Sequence, residues 1–129
     1  MNGMDADGMK TTVDPDQVAV VVLCTFPDVE KARVIAALLV ERRLAACVNL
    51  LPGVESIYRW EGKVERAGEV LAVIKTTRYP ELEAALKELH PYEVPEILAL
   101  PVAAGLAGYL EWLGAECGNG PGADSALEE

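Results

Sequence analysis

The order of strand and helix signals predicts an α+β fold, β-α-β-β-α-β with one further helix at the C-terminus. Three observations carry it. VAVVVLCTF, residues 18–26, is a continuous, mostly β-branched run of the kind that forms a strand covered on both faces. Ala45 to Thr77 is strand-like throughout and breaks strongly only at WEGK, Trp60 to Lys63. Segments of helical periodicity flank that stretch, and a short strand-like run follows the second of them. This order is the split βαβ, or ferredoxin-like, sandwich: a four-stranded antiparallel sheet with two helices on one face.

After the first strand, Pro27 and Asp28 open a helix that runs to about Arg43. Val29, Ala32, Ala36 and Leu39 recur at helical spacing, and Ile35 widens the stripe. Asp28 and Glu30 at its start and Arg42 and Arg43 at its end suit the helix dipole.

Folding the next stretch about Gly62 gives two arms of about fifteen residues, each roughly 50 Å long at ~3.3 Å per residue. A domain of this size has a radius of gyration of roughly 13 Å, so such an arm exceeds its diameter. The hairpin must bend, overhang, or both. Pro52-Gly53 and Gly68 read as the bulges that permit it. An overhanging ribbon leaves an unpaired edge, which a symmetric oligomer covers most simply.

RYPELEAALKELH forms the second helix, with Pro80 in its first turn. Leu82, Ala85, Leu86 and Leu89 fall at i, i+3, i+4 and i+7, which turns Leu89 to the core and leaves His90 at the rim. Pro91 ends the helix by disfavouring helical geometry at His90. EILALPV, Glu96 to Val102, is a short strand, and a last helix carries Leu106, Tyr109, Leu110 and Leu113 on one face.

At 129 residues and 51% hydrophobic content the chain suffices for one domain with one core, built mainly from Val, Leu, Ile and Ala because only 5% is aromatic. Residues 1–16 and 118–129, rich in Gly, Asp and Ser, read as disordered tails around a folded body at 17–117. GNGPG in the second tail follows a helix rather than a strand, so it is no phosphate loop. The net charge is -10, and seven acids against Lys10 place -6 of it in the tails. Nucleic-acid binding is disfavoured, since it needs clustered Lys and Arg. No apolar run reaches membrane-span length, and MNGMDADGMK lacks the features of a signal peptide, which makes the cytoplasm the expected compartment. Cys24, Cys47 and Cys117 form neither a disulfide framework nor a CxxC zinc site.

Three kinds of chemistry compete for the remaining residues. His90 is the single imidazole, and neither G-x-S-x-G nor H-E-x-x-H occurs, which weighs against hydrolysis. Cys24 with His90 could pair as thiolate and imidazole, but a thiol inside a β-branched run is shielded and dulled. As metal ligands the same two would favour copper or zinc over magnesium or calcium, with a carboxylate, water or a neighbouring subunit completing the shell. Against this stand the plainer readings of a helix-end histidine and a core thiol. Tyr58, Trp60, Tyr92, Tyr109 and Trp112 suit half-wet interfaces. Lys75 and Arg59 could balance Glu61, Glu93 or Glu96, or hold a small anion.

VVLCTFPD, LVERRLAACVNLLPGVESIYRWEGKVE, EVLAVIKTT, HPYEVPEIL and YLEWL resemble, in order, the CutA divalent-cation tolerance proteins, from about Val18 to Leu113. The resemblance implies a ferredoxin-like subunit in a tight homotrimer, hairpins packed between subunits, and a link to tolerance of copper and other divalent metals. It also implies metal ligands at a cysteine matching Cys24 and at a histidine pair before Pro-Tyr. Here the second of that pair is His90 and the first is Leu89.

The expectation is a cytoplasmic, non-enzymatic homotrimer that binds copper or another divalent ion weakly through Cys24, His90 and Glu96. Tyr58, Trp60, Lys75, Tyr92, Tyr109 and Trp112 would line a cleft between subunits. The alternative is a module resembling PII-type regulators, which take a small anion or nucleotide between subunits.

Overall fold

The computed structural model describes residues 18–118. Both expected tails lie outside this range except for Gly118. The elements run β1 (Val20–Phe26), α1 (Val29–Glu41), β2 (Cys47–Trp60), β3 (Lys63–Thr76), α2 (Tyr79–Leu89), β4 (Ile97–Pro101) and α3 (Ala107–Glu116). The sheet order is β2-β3-β1-β4 with every pairing antiparallel, so the split βαβ arrangement is present. β1 starts two residues later than the apolar run, and Leu106, expected inside the last helix, caps it as an exposed residue.

The core lies between one sheet face and two helices. Alternation sends Val22, Cys24 and Phe26 of β1 to the same side as Ile74, Ala72 and Val70 of β3, and all six are buried. Ala32, Ile35 and Leu39 of α1 and Leu82 and Leu86 of α2 close over them. Each fully buried large aliphatic side chain contributes roughly 1.5–3 kcal/mol. The opposite sheet face meets α3 at the corner where Tyr109 lies against Cys47 and is more open elsewhere. Val21, Leu23, Leu71 and Val73 are only half-buried there, while Leu98 and Leu100 of β4 are exposed.

Local chemistry sets the helix ends. Asp28 caps α1 by accepting from the Lys31 N–H at 2.8 Å. The helix stops at Glu41, earlier than its basic end suggested, because Arg43 adopts φ 60°. The Leu44 and Arg43 N–H groups then donate to the Leu39 and Val40 carbonyls at 2.9 and 3.0 Å, a Schellman closure with arginine where glycine is usual. The Arg43 guanidinium in turn donates to the Ala115 carbonyl at 2.8 Å and ties α3 to this corner.

The hairpin arms are fourteen residues each. Glu61 at φ 49° and Gly62 at φ 81° form the two-residue turn between the paired Trp60 and Lys63. β1 pairs with Val70 to Thr76 only, so Lys63 to Glu69 is held by β2 alone. The outer half is therefore a two-stranded ribbon of roughly 23 Å at ~3.3 Å per residue. It exposes Ile57, Tyr58, Trp60 and Val64. The bend is a single bulge: Leu51 pairs with Leu71 and Val54 with Glu69, so Pro52 and Gly53 together face Val70. Gly68 is not a second bulge, because it pairs in register with Glu55.

That difference is measurable. Gly53 sits at φ 81°, a region that L side chains enter at a cost, although open space surrounds it. Gly53→Val should lose about 1–2 kcal/mol in urea unfolding. Gly68→Val should stay within about 0.5 kcal/mol or gain, since a strand favours the branched side chain. Equal losses at both sites would contradict the assignment of one bulge.

Candidate functional site

α2 and β1 end side by side, and the loop between α2 and β4 crosses over that end. Pro91 forces the turn: His90 has φ -72° and ψ 138°, yet its N–H still donates to the Leu86 carbonyl at 2.9 Å. The imidazole is consequently folded inward rather than standing at the rim. It is 7% exposed and stacked on Phe26, with ring centres 4.6 Å apart.

Both ring nitrogens are engaged. The Tyr92 N–H donates to Nδ1 at 3.0 Å, which places the proton on Nε2, and Nε2 donates to the Thr25 carbonyl at 2.7 Å. The ring is thus a neutral brace between the loop and β1. Burial pushes its pKa below 6.5, opposed in part by the bond to Thr25 and by the charge of Glu69. A protonated helix-end imidazole held by the dipole is not what the fold builds.

Cys24, paired with Ala72 and Ile97, is fully buried beneath this brace. Its Sγ approaches the same Thr25 carbonyl at 4.0 Å. Burial pushes the thiol up to about 12, and the carboxylates of Glu96 and Glu69 add to the rise. Tyr92 turns its ring toward His90, with centres 4.9 Å apart, and its hydroxyl donates to Glu69 Oε2 at 2.6 Å. Burial, then that bond, raises the phenol; Tyr58 makes a smaller contribution. The result is one cluster of Cys24, Thr25, His90 and Tyr92 with Glu69 and Glu96 in its electrostatic neighbourhood.

The expected cleft set divides among three regions. Tyr92 and, more distantly, Tyr58 belong with His90. Lys75 does not: its pairing with Val21 and Cys47 puts it on the sheet face opposite α1 and α2, where Nζ bonds Asn49 Oδ1 and lies 3.9 Å from Cys47 Sγ. None of Glu61, Glu93 and Glu96 is its partner. Tyr109 and Trp112 pack on each other with ring centres 5.4 Å apart, and Tyr109 also lies against Cys47. Trp60 stands exposed at the hairpin turn.

Sequence reading missed Thr25 and Glu69. The contribution of Thr25 is a backbone carbonyl, which no residue type announces. Glu69 is one acid among many, and its place beside the bulge, paired with Val54, brings it to Tyr92. Among the described residues, no group of three or more His, Cys, Asp or Glu side chains is placed to hold a metal ion. No described helix is long and apolar enough to cross a membrane.

Known proteins resemble this chain along nearly all of its described length. Residues 20–116 match the model of the CutA1 divalent ion tolerance protein family. The divalent-cation tolerance protein CutA of Thermus thermophilus is 57% identical over 95 residues, which is 72% of this chain and 92% of that protein. A solved structure of the divalent cation tolerance protein from Thermus thermophilus superposes with a TM-score of 0.72 at 56% identity, over 74% of this chain and 94% of that one. The periplasmic divalent cation tolerance protein CutA of Archaeoglobus fulgidus superposes with a TM-score of 0.73 at 37% identity, over 77% and 98% respectively. The ferredoxin-like arrangement, the order of the motifs and these matches converge: the chain belongs to the CutA1 divalent ion tolerance family.

Proposed function

We propose that this protein is a cytoplasmic homotrimer that binds copper or another divalent ion weakly through Cys24 and His90, with Glu96 or Glu69 lending negative charge. One observation carries the reading: Cys24 Sγ and His90 Nε2 converge on a single atom, the Thr25 carbonyl oxygen. A thiol and an imidazole are a donor set that suits copper and zinc. The fit is partial, since two protein donors do not close a coordination shell and water or a second copy must supply the rest. Weak attachment follows from three costs. Cys24 must give up its proton, His90 must leave Thr25, and the ion must be desolvated.

The trimer is supported by the bare ribbon and the open part of the sheet face, which leave Ile57, Tyr58, Trp60, Val64, Leu98 and Leu100 exposed. The cytoplasm is supported by three cysteines that remain unpaired. A small anion or nucleotide near His90 is less well supported, because carboxylates dominate that end and Lys75 lies on the other sheet face. No nucleophile with an accessible base is assembled among the described residues, so binding is favoured over catalysis.

Calorimetric titration with Zn(II) and with Cu(II) tests this. Cys24→Ala and His90→Gln should each weaken binding by about tenfold or more, in line with the sensitivity of metal sites even to outer-shell changes. Unchanged binding in both variants would overturn the assignment. Zinc affinity should also climb about tenfold per pH unit between pH 7 and 9, because ionising Cys24 releases one proton. Cys24→Ala should flatten that slope.

His90 gives a separate pH signature. Its folded pKa lies below 6.5, so the unfolded chain binds more protons once pH falls below that value. The stability contributed by the neutral brace is complete above pH 6.5 and is lost as pH drops toward the folded pKa. The thermal midpoint of the metal-free protein should fall more steeply over that window than that of His90→Gln. Parallel curves would rule out the brace.

A further inference from the structure

The segment between α2 and β4, residues 90–96, forms a strap across the end of β1. Pro91 and Pro95 stiffen the stretch around Tyr92. Pro91, Glu93 and Val94 are exposed, Val94 to 74%, so little apolar burial holds the strap down. Among the described residues, two side-chain hydrogen bonds tie it to the sheet. His90 Nε2 donates to the Thr25 carbonyl at 2.7 Å, and the Tyr92 hydroxyl donates to Glu69 Oε2 at 2.6 Å. The second is a short bond to a charged acceptor, which is the stronger kind. Tyr92 also steadies the imidazole from within the strap, through its N–H at 3.0 Å from Nδ1 and a ring contact at 4.9 Å. All of these bonds lie within one subunit.

Glu69 stands where the strap meets the hairpin. Its charge acts on Cys24 and His90 as well as on Tyr92. Cys24 is fully buried beneath the strap, so an ion or reagent reaches its thiol only after the strap lifts. Lifting Tyr92 also frees the Glu69 carboxylate beside the thiol and the imidazole. A free carboxylate there draws in a cation and repels an anion.

We propose that Tyr92 and Glu69 form a latch that controls entry to Cys24 and His90, with a small soft cation as the entrant. Closed, the latch keeps the imidazole on Thr25 and the thiol out of reach. Open, it releases both donors and the carboxylate together. Tyr92 is a positioning residue: it acts through His90 and Glu69. The cation as entrant rests on the metal reading proposed above, whereas the latch rests on the bonds alone.

The test is alkylation of the metal-free full chain, in its native assembly, with iodoacetamide, followed by peptide mapping that scores each cysteine separately. Tyr92→Phe removes only the hydroxyl and should speed alkylation of Cys24 by about tenfold or more, the scale of one hydrogen bond to a charged group. Cys117, fully buried against Thr76 at the other end of β1, should keep its wild-type rate. Glu69→Ala should give the same increase and the double variant no more, because each change removes the same bond. An unchanged Cys24 rate in Tyr92→Phe would overturn the latch, as would Cys24 and Cys117 rising together, the mark of general loosening. Zinc titration reads the entrant separately: affinity should tighten in Tyr92→Phe by the same factor as the alkylation rate. Faster alkylation with unchanged zinc affinity would overturn the cation as entrant. Faster alkylation with no zinc binding in either protein would fail the metal reading and leave the latch standing.

Discussion

A mismatch in strand length governs this molecule. β1 has seven residues and each hairpin arm has fourteen, so half of the hairpin has no third strand beside it. The helices are sized to β1, and their buried faces close over the inner half only. Beyond Glu69 the chain must be a two-stranded ribbon, an arrangement that is marginal in water by itself. The bulge at Pro52-Gly53 bends the ribbon where third-strand support ends. It leaves Ile57, Tyr58, Trp60 and Val64 without cover. Aromatic and branched residues there make sense as material for contact with another copy.

The same boundary creates the His90 cluster. Near the end of β1, β4 no longer pairs with it beyond Cys24, and on that side the Thr25 carbonyl lies open to the loop that leaves α2. Proline at position 91 sends the imidazole into that gap, and Tyr92 spans from it to Glu69 at the foot of the ribbon. The Tyr92–Glu69 bond therefore links the brace to the point where the hairpin begins to overhang. Any ligand that displaced the imidazole from Thr25 would work against a bond, a ring stack and a buried neutral state together. That opposition is the physical basis for weak rather than tight attachment.

Much of this is legible in the chain. The β-branched run, the WEGK turn and the leucine spacing of α2 determine the element order, because each is a local pattern with a local cause. The overhang is legible too, since it follows from residue count and strand rise. Four things are not. Arg43 ends α1 through a left-handed backbone that arginine does not advertise. Gly68 reads as a bulge because glycine in a strand often is one, yet register is decided across the pair and not within one strand. His90 reads as peripheral when helical spacing is extended one residue past the helix, where the backbone has already turned. The division of Lys75 from Tyr92 follows from strand alternation, and it becomes visible only once the register is known.

Mass in solution bears most directly on the ribbon's need for shelter. Multi-angle light scattering on the full chain at micromolar concentration should return about three times its 13.8 kDa. A stable, monodisperse particle of 13.8 kDa would mean that the bare ribbon and open sheet face are tolerated by a single subunit, and the case for shared surfaces would end there.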